Sequence, residues 1–446
     1  MEDAVRLAEK KGAEFAEASC IGGTANHIET NNKDVTTLVS LSRKLYSVRV
    51  LYKKGWGQAY SCKDDMKKLV LDAIKNARAN QEKSELQPMK AAKMNVKTPF
   101  MINPEDVPLK DKLNILSSIE SYRTPKIKAL RQIYAENIRE HFIVNSEGSK
   151  LKWKEKGIQY IVQAFAKRGA RTEQYVDTQR GRCGFEIAPH FGQCARHAIH
   201  KAEQLLDAKP AKGGRFNVMV DQKLGGFFVH EAVGHACEAD AALNNASVLG
   251  HKIGRKIGSD VFNVVDDGSI REWGWMPFDS EGVKGSRTQL IEKGILEGFI
   301  HSRDTASRMK DEVTGNGRSQ DLTTRIIPRM TNTIIGPGDS SFDEILHTAK
   351  KGYYLKGSLG GQVEPPKGTF LFNAQEGYYF ENGEIQHMIN NVSLIGNILE
   401  TLHKVRLIAK DLEYSSGFCG KSGQTVPVGQ GSPHLFIEDA MVGGSK

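Results

Sequence analysis

The chain has 446 residues, a net charge of +9 and a hydrophobic content of 39%, values typical of a globular protein that is too long for a single core. Basic residues alternate with acidic ones instead of forming an arm, so we interpret them as a solvated surface and do not expect nucleic acid as a partner. The first four residues (MEDA) resemble no secretion signal, and no apolar run approaches the ~20 residues that cross a bilayer. Six cysteines without a CxxC pair fit a reducing compartment, so we expect a cytoplasmic protein without a membrane segment.

The first predicted unit spans residues 1–90 and is of the α/β type. Apolar side chains alternate with other residues from Tyr46 to Tyr52, which predicts a strand. Apolar residues then recur at helical spacing between Met66 and Ala77, which predicts an amphipathic helix. Residues 83–110 are rich in lysine and proline, and we interpret them as a connector.

The second predicted unit, residues 108–208, has the same order of strands followed by a helix. Residues 133–144 and 151–166 are typical of long strands, and the segment NSEG at 145–148 is typical of a turn between them. Apolar residues between Ala195 and Leu206 share one helical face. The segment KPAKGG that follows is a candidate domain boundary.

The third predicted unit, residues 215–446, differs from the first two. It opens with a short strand at 216–220 and a helix that begins near Asp221, a good N-cap residue. Beyond about residue 260, glycines and short apolar runs predict many short strands in a sandwich or a partly closed barrel. We therefore expect an α+β protein, with N-terminal α/β units of long strands and packed helices and a C-terminal β-rich domain that carries the helix described next.

The helix after Asp221 contains the sequence HEAVGH, with His230, Glu231 and His235. Two imidazoles can bind Zn²⁺ and leave a position for water, and a neighbouring carboxylate can take the proton of that water. Five residues of an α-helix turn through about 500°, so the two rings would lie about 140° apart and could not share one metal. Because Gly234 is conformationally permissive, we predict a wider π-type turn that brings both rings to one side.

The HExxxH pattern by itself is a modest signal, because composition alone produces it in about one chain in fifty of this size. His230 and His235 could be ordinary histidines of a partly buried helix. The preceding apolar segment FFV would bury this helix, where unpaired polar groups are costly. This context favours the metal hypothesis without excluding the alternative.

A catalytic zinc site usually has three protein ligands, and the residues alone leave the third one open. Cys419 lies between glycines that let the backbone approach a crowded site, but an ordinary buried cysteine is the commoner interpretation of such a residue. Cys237 would point to another side of a helix, and His251 lies in no motif. We interpret Glu238 and Asp240 as helix-surface groups or as partners of the ligands, with Glu238 as the next candidate ligand.

Several ordered segments resemble the TldD/PmbA family of metallopeptidases. The resemblance covers essentially the whole chain and is densest after residue 210. The segments that carry it are FFVHEAVGHACEAD at 227–240, TGNGR at 314–318, PRMTNT at 328–333, GY at 377–378 with ENG at 381–383, GNILETL at 396–402, and CGKSGQ at 419–424 with VPVG at 426–429. Because HExxxH is retained, the chain is similar to the active TldD type and differs from the family's partners that lack the motif.

This resemblance implies a zinc metallopeptidase in which His230, His235 and Cys419 are the metal ligands and Glu231 is the general base that activates a zinc-bound water. It also implies cleavage of small or unfolded peptides, which pair as a strand in a narrow chamber. The expected assembly is a homodimer or a heterodimer with a divergent family member. Departures from the family, such as GWMPF at 274–278, are expected to alter which peptides fit.

Two other functions remain open on the sequence. One is a DNA-associated regulator of the gyrase-modulator kind without catalysis, because the chain is basic and related proteins have carried such labels. The other is a structural subunit whose metal only braces the fold. The sequence does not name the physiological substrate, and it does not decide between endopeptidase and exopeptidase action or between a homo- and a hetero-oligomer.

Overall fold

The first half of the chain builds one sheet in the computed structural model, which describes residues 1–80 and 83–444. Its elements are α1 Glu2–Lys10, β1 Phe15–Asn31, β2 Asp34–Tyr52, β3 Gly55–Ser61, α2 Met66–Ala79, β4 Lys93–Lys97, α3 Leu109–Ile119, β5 Ile127–Asn145, β6 Lys150–Arg168, β7 Arg171–Gly181 and α4 Pro189–Leu205. The strands follow the order β3-β2-β1-β5-β6-β4, and β7 pairs with β6.

The two predicted N-terminal units share this sheet. Strand β1 pairs antiparallel with β2 and with β5, so that Ile28 lies opposite Leu38 on one side and opposite Tyr134 on the other. Helices α1 and α2 pack over one apolar core of the sheet, and α3 and α4 pack over another. The division of the chain into units at 1–90, 108–208 and 215–446 stays a prediction, and residues 81, 82, 445 and 446 of those ranges lie outside the described residues.

Four strands of this sheet, β1, β3, β4 and β7, were not predicted from the sequence. The middle of β1 (GGTAN) and most of β7 lack a clear apolar alternation. Strand β4 is an exposed edge strand that runs parallel to β6, with Val96 opposite Trp153. The predicted connector at 83–110 therefore also contains a strand, a 3₁₀ turn at Pro104–Asp106 and the beginning of α3. An edge strand that buries little surface leaves only a weak periodic signal.

The second half of the chain builds two larger sheets and a hairpin. Its elements are β8 Lys209–Pro210, β9 Gly214–Val220, α5 Gln222–Val229, α6 Ala239–Leu243, β10 Val264–Asp267, β11 Arg287–Glu292, β12 Ile295–Leu296, α7 Arg303–Met309, β13 Gly317–Arg318, β14 Ile327–Pro328, β15 Asn332–Ile335, α8 Phe342–Ala349, β16 Lys351–Lys356, β17 Gly361–Glu364, β18 Thr369–Asn373, β19 Glu376–Glu381, β20 Glu384–Asn390, β21 Ser393–Asn397, α9 Ile398–Lys404, β22 Val405–Ile408, β23 Glu413–Lys421, β24 Gln424–Ser432 and β25 Leu435–Gly443. The many short strands agree with the sequence pattern.

The ten-stranded sheet has the order β17-β18-β21-β25-β9-β16-β19-β20-β8, with β22 paired to β25. The six-stranded sheet has the order β12-β11-β10-β15-β24-β23, and β13 pairs with β14 as a separate hairpin. The chain is therefore α+β with a β-rich C-terminal part, as expected. Among the helices of the described residues, none combines the length and apolarity required to cross a membrane.

Helix α5, which leads into the HExxxH motif, contacts both of these sheets. The ring of Phe228 packs against Phe370 of β18, with centroids 5.7 Å apart. On the side of the six-stranded sheet, a Cβ at Gly225 would lie 2.4 Å from Ser432 Oγ, so only glycine permits this approach. Residues of α5 and of both sheets belong to one continuous apolar core. Burial of a side chain such as Phe228 typically stabilises a fold by about 1.5–3 kcal/mol, and this core holds the motif between the sheets.

Candidate metal centre

Asp221 fixes the beginning of the helix that carries the motif. Its carboxylate accepts hydrogen bonds from the Leu224 N–H at 2.8 Å and from the Gly357 N–H at 3.0 Å. The first bond caps α5 and confirms the N-cap prediction. The second ties the start of the helix to the residue that follows β16, so the helix is anchored to the ten-stranded sheet at its N-terminus.

The helix changes its winding at the motif. Residues His230–Gly234 form a π turn and His235–Cys237 form a 3₁₀ turn. Because a π turn contains more residues than an α-helical turn, the five-residue spacing brings His235 back to the side of His230. The two ring centroids lie 5.2 Å apart, with an interplanar angle of 80°. The predicted irregularity of this helix is confirmed.

The reason for glycine at position 234 differs from the one predicted. Gly234 has φ −56° and ψ −54°, a helical conformation that any residue can adopt. A Cβ at this position would lie 1.9 Å from the sulfur of Met330, and Met330 is fully buried. Close packing against Met330, and not backbone freedom, therefore explains the glycine.

Replacing Gly234 with alanine is expected to lower the free energy of unfolding by about 1–3 kcal/mol, the usual cost of overpacking a filled core. Retention of any metal held by this cluster should fall as well, because the displaced backbone directly precedes His235. Denaturant unfolding and the metal content of the purified variant measure the two effects. Since Met330→Ala removes the obstructing sulfur, the double variant should lose less stability than the sum of the single changes. Additive losses would contradict the packing explanation.

The fold brings the three predicted ligands together. Ligand atoms of His230, His235 and Cys419 all lie within 4.8 Å of one another, and Cys419 Sγ is 3.3 Å from His235 Nε2. With metal–ligand bonds of ~2.0–2.3 Å, neighbouring ligands of a tetrahedral zinc lie roughly 3.3–3.6 Å apart, so the separation of His235 and Cys419 fits such an ion and His230 lies close enough to complete the set. In addition, the buried Nδ1 of His230 has no hydrogen-bond partner among the described residues.

The electrostatics of the cluster favour an ionised thiol. Burial alone would raise the pKa of Cys419, but hydrogen bonds and charge from His230 and His235 lower it to about 5. Burial would lower the pKa of His235, but Glu238 and Cys419 raise it well above its usual range. A thiolate is the form of cysteine that binds metals, so the environment prepares Cys419 for this role.

Glu231 lies at the edge of the same cluster. Its Oε2 is 3.9 Å from His235 Nε2, the ring nitrogen that also faces Cys419. Its side chain is 23% exposed, whereas the His235 side chain is 15% exposed. The carboxylate is therefore partly exposed beside the cluster.

The other residues considered as ligands lie outside the cluster. Glu238 accepts a hydrogen bond from His235 Nδ1 at 2.9 Å, and Asp240 accepts one from Lys421 at 2.7 Å. Cys237 is fully buried, and burial raises its pKa. His251 contacts Asn245, with Nε2 2.9 Å from the amide oxygen.

Sequence reasoning missed two cations beside the cluster. Lys421 lies 3.1 Å from Glu238, and Arg329, which is fully buried, donates a hydrogen bond to the carbonyl of Cys419. Both residues occur in segments that carry the family resemblance, PRMTNT and CGKSGQ. Their place in these segments was the one sequence feature that pointed to a role at the site. It did not show that either side chain lies beside the cluster.

Relatives with substantial identity to this chain are named as metalloproteases. The chain is 40% identical over 430 residues to a metalloprotease of Methanocaldococcus jannaschii, with 94% of each chain covered. It is 30% identical over 450 residues to a zinc metalloprotease TldD homolog of Saccharolobus solfataricus, with 99% of each chain covered. Together with the histidine and cysteine cluster, these similarities define the class of the protein, which is a metallopeptidase.

Three family models match consecutive parts of the chain. Domain 1 of the PmbA/TldA metallopeptidases matches residues 16–77, the central domain matches 102–206 and the C-terminal domain matches 213–444. The chain therefore belongs to the PmbA/TldD metallopeptidase family, as its motifs indicated.

Solved structures share the fold. TldE from Thermococcus kodakarensis superimposes with a TM-score of 0.82 at 20% identity and covers 100% of both chains. A Thermotoga maritima protein described as a proposed modulator of a DNA gyrase superimposes with a TM-score of 0.83 at 21% identity and covers 99% of both chains. At these identities the likeness shows the fold alone.

Proposed function

We propose that this metallopeptidase is a zinc enzyme that hydrolyses peptide bonds in small or unfolded peptides in the cytoplasm. The observation that carries the proposal is the convergence of His230, His235 and Cys419 beside the carboxylate of Glu231. The S. solfataricus relative, named a zinc metalloprotease, supports zinc as the metal. When bound, zinc supplies a Lewis acid that polarises the peptide carbonyl and lowers the pKa of water.

The residues of the chain divide the remaining tasks. His230, His235 and the thiolate of Cys419 would hold the ion, and the thiolate would neutralise part of its charge. Glu231 would take a proton from the attacking water and pass it to the departing amine nitrogen. Its partial exposure supports this role, because the carboxylate must reach both the water and the substrate.

An outer strand beside the site is a candidate for substrate binding. Strand β17 is the outermost strand at one end of the ten-stranded sheet, and it contacts the π turn. Strand β23, which carries Cys419, also ends a sheet, but Arg180 already donates a hydrogen bond to its Ser416 carbonyl. An extended peptide can add to an exposed strand through main-chain hydrogen bonds. We propose β17 as that strand and expect broad sequence specificity, because such pairing depends little on side chains.

We also propose a dimeric assembly, formed by two copies or with a divergent family member. The fold shared with TldE supports a partner of the same architecture. Light scattering on the purified chain, alone and mixed with a divergent member, is expected to show the mass of a dimer. Cleavage assays on the same samples are expected to show that this dimer is active. A fully active monomer at assay concentration would contradict this prediction.

Metal dependence is the direct test of the proposed function. The purified protein should contain zinc and cleave an unstructured peptide, whereas a folded protein in the same assay should resist. A chelator should abolish cleavage and added zinc should restore it. Cleavage by metal-free protein would refute the proposal. A protein that needs zinc only to stay folded would support a structural metal, and salt-sensitive DNA binding without cleavage would support a DNA-associated regulator.

A further inference from the structure

Glu238 occupies the side of His235 that faces away from the metal cluster. Its Oε2 lies 2.9 Å from His235 Nδ1, while the opposite ring nitrogen, Nε2, faces Cys419 at 3.3 Å. A carboxylate oxygen accepts hydrogen bonds, so Nδ1 is the ring nitrogen that donates to Glu238, and Nε2 is the ring nitrogen that faces the cluster. Glu238 cannot bind the same ion itself, because the ring separates the carboxylate from it.

The position of Glu238 is fixed by both its side chain and its backbone. The residue is 1% exposed. On its N-terminal side, the Ile300 N–H donates to the Cys237 carbonyl at 2.9 Å, and on its C-terminal side the Ala239 N–H donates to the Ile300 carbonyl at 3.1 Å. Because the backbone is held on both sides of Glu238 and the side chain is buried, the carboxylate has little freedom to follow His235. It can therefore orient the ring.

Two cations connect Glu238 to the strand of the third ligand. Lys421 Nζ lies 3.1 Å from Glu238 Oε2, and Lys421 is two residues beyond Cys419 on β23. Arg329 Nε lies 3.9 Å from Glu238 Oε1, and Arg329 donates a hydrogen bond to the Cys419 carbonyl. The same buried carboxylate therefore contacts the ring of one ligand and a lysine on the strand of another, and it lies 3.9 Å from the arginine that holds the carbonyl of that second ligand.

We propose that Glu238 is a positioning residue for the metal. Glu238 presents His235 Nε2 to the ion and holds the strand of Cys419 at the distance that the ion requires. The proposal rests on the zinc site proposed above. Partners of this kind typically change metal affinity by about 10–100-fold.

Two substitutions separate positioning from charge neutralisation. Glu238→Asp keeps the negative charge that Lys421 and Arg329 face, but it shortens the reach to His235 by one methylene. Glu238→Gln keeps the length and an acceptor oxygen but removes the charge. If Glu238 positions His235, Glu238→Asp should bind zinc about 10–100-fold more weakly than the parent in competition with a chromophoric chelator, and Glu238→Gln should lose less affinity than Glu238→Asp. If it only neutralises the two cations, Glu238→Asp should bind zinc as the parent does.

Asp240→Asn is the matched control. Asp240 contacts the same Lys421 at 2.7 Å but makes no contact with His235, and it is partly exposed. No hydrogen bond or ion pair of the described residues joins Asp240 to His235, and a pair that water still reaches contributes at most about 1 kcal/mol, so zinc affinity should stay within about fivefold of the parent. Thermal unfolding of each metal-free variant is measured in parallel, because a purely structural role would lower that stability and a positioning role would not.

The outcomes are distinct. Weaker zinc binding by Glu238→Asp, with metal-free stability and Asp240→Asn unchanged, would support the proposal. Parental affinity in Glu238→Asp would overturn it, and so would a loss of affinity that follows a loss of metal-free stability. Failure of the parent protein to bind zinc at all would instead refute the proposed function.

Discussion

Glu231→Ala is expected to lower peptide cleavage at least ~10²-fold, the usual contribution of a general base, while the zinc content stays at the parental level. The expectation follows from position, because the carboxylate lies 3.9 Å from His235 Nε2 and is partly exposed, whereas the three proposed ligand atoms belong to His230, His235 and Cys419. The change removes a proton carrier and no ligand.

Steady-state cleavage of an unstructured peptide and metal analysis of the same preparation measure this prediction. Glu384→Ala, which alters an exposed carboxylate on β20, is the matched control and should cleave as the parent does. Near-normal turnover of Glu231→Ala would show that another group accepts the proton. A simultaneous loss of zinc would show that Glu231 belongs to the ligand set.

Cys419→Ser is expected to reduce zinc affinity and cleavage together. A serine hydroxyl keeps its proton near neutral pH, whereas His230 and His235 lower the pKa of the Cys419 thiol to about 5, so the variant loses an anionic ligand. The loss of affinity should exceed the ~10–100-fold effect of removing a residue that only supports a ligand. Serine is nearly isosteric, so the fold around the buried site should be preserved.

Thiol chemistry provides an independent readout for Cys419. Zinc should protect Cys419 from a small alkylating reagent, while the exposed Cys62 should react to the same extent with and without zinc and serves as an internal control. Equal modification of Cys419 in both states, or parental zinc affinity in Cys419→Ser, would place the third ligand elsewhere.

Local features of the site were readable from the sequence because they depend on neighbours along the chain. The N-cap at Asp221 follows from the hydrogen-bonding capacity of its side chain. The π turn follows from the five-residue separation of His230 and His235, because a regular helix cannot place both rings on one side. The helices α2 and α4 follow from apolar residues at helical spacing.

The tertiary structure decided the features that depend on distant segments. Cys419 lies 184 residues from His235, and their contact requires the edge strand β23 to lie beside the end of the π turn. The contact of Glu238 with Lys421 and Arg329 and the packing of Gly234 against Met330 likewise join separate parts of the chain. So does the pairing of β1 with β5, which merges two predicted units into one sheet. Periodicity reports which face of an element is buried, but it does not report what that face packs against, and this is why the sequence alone left the partners of His235 undetermined.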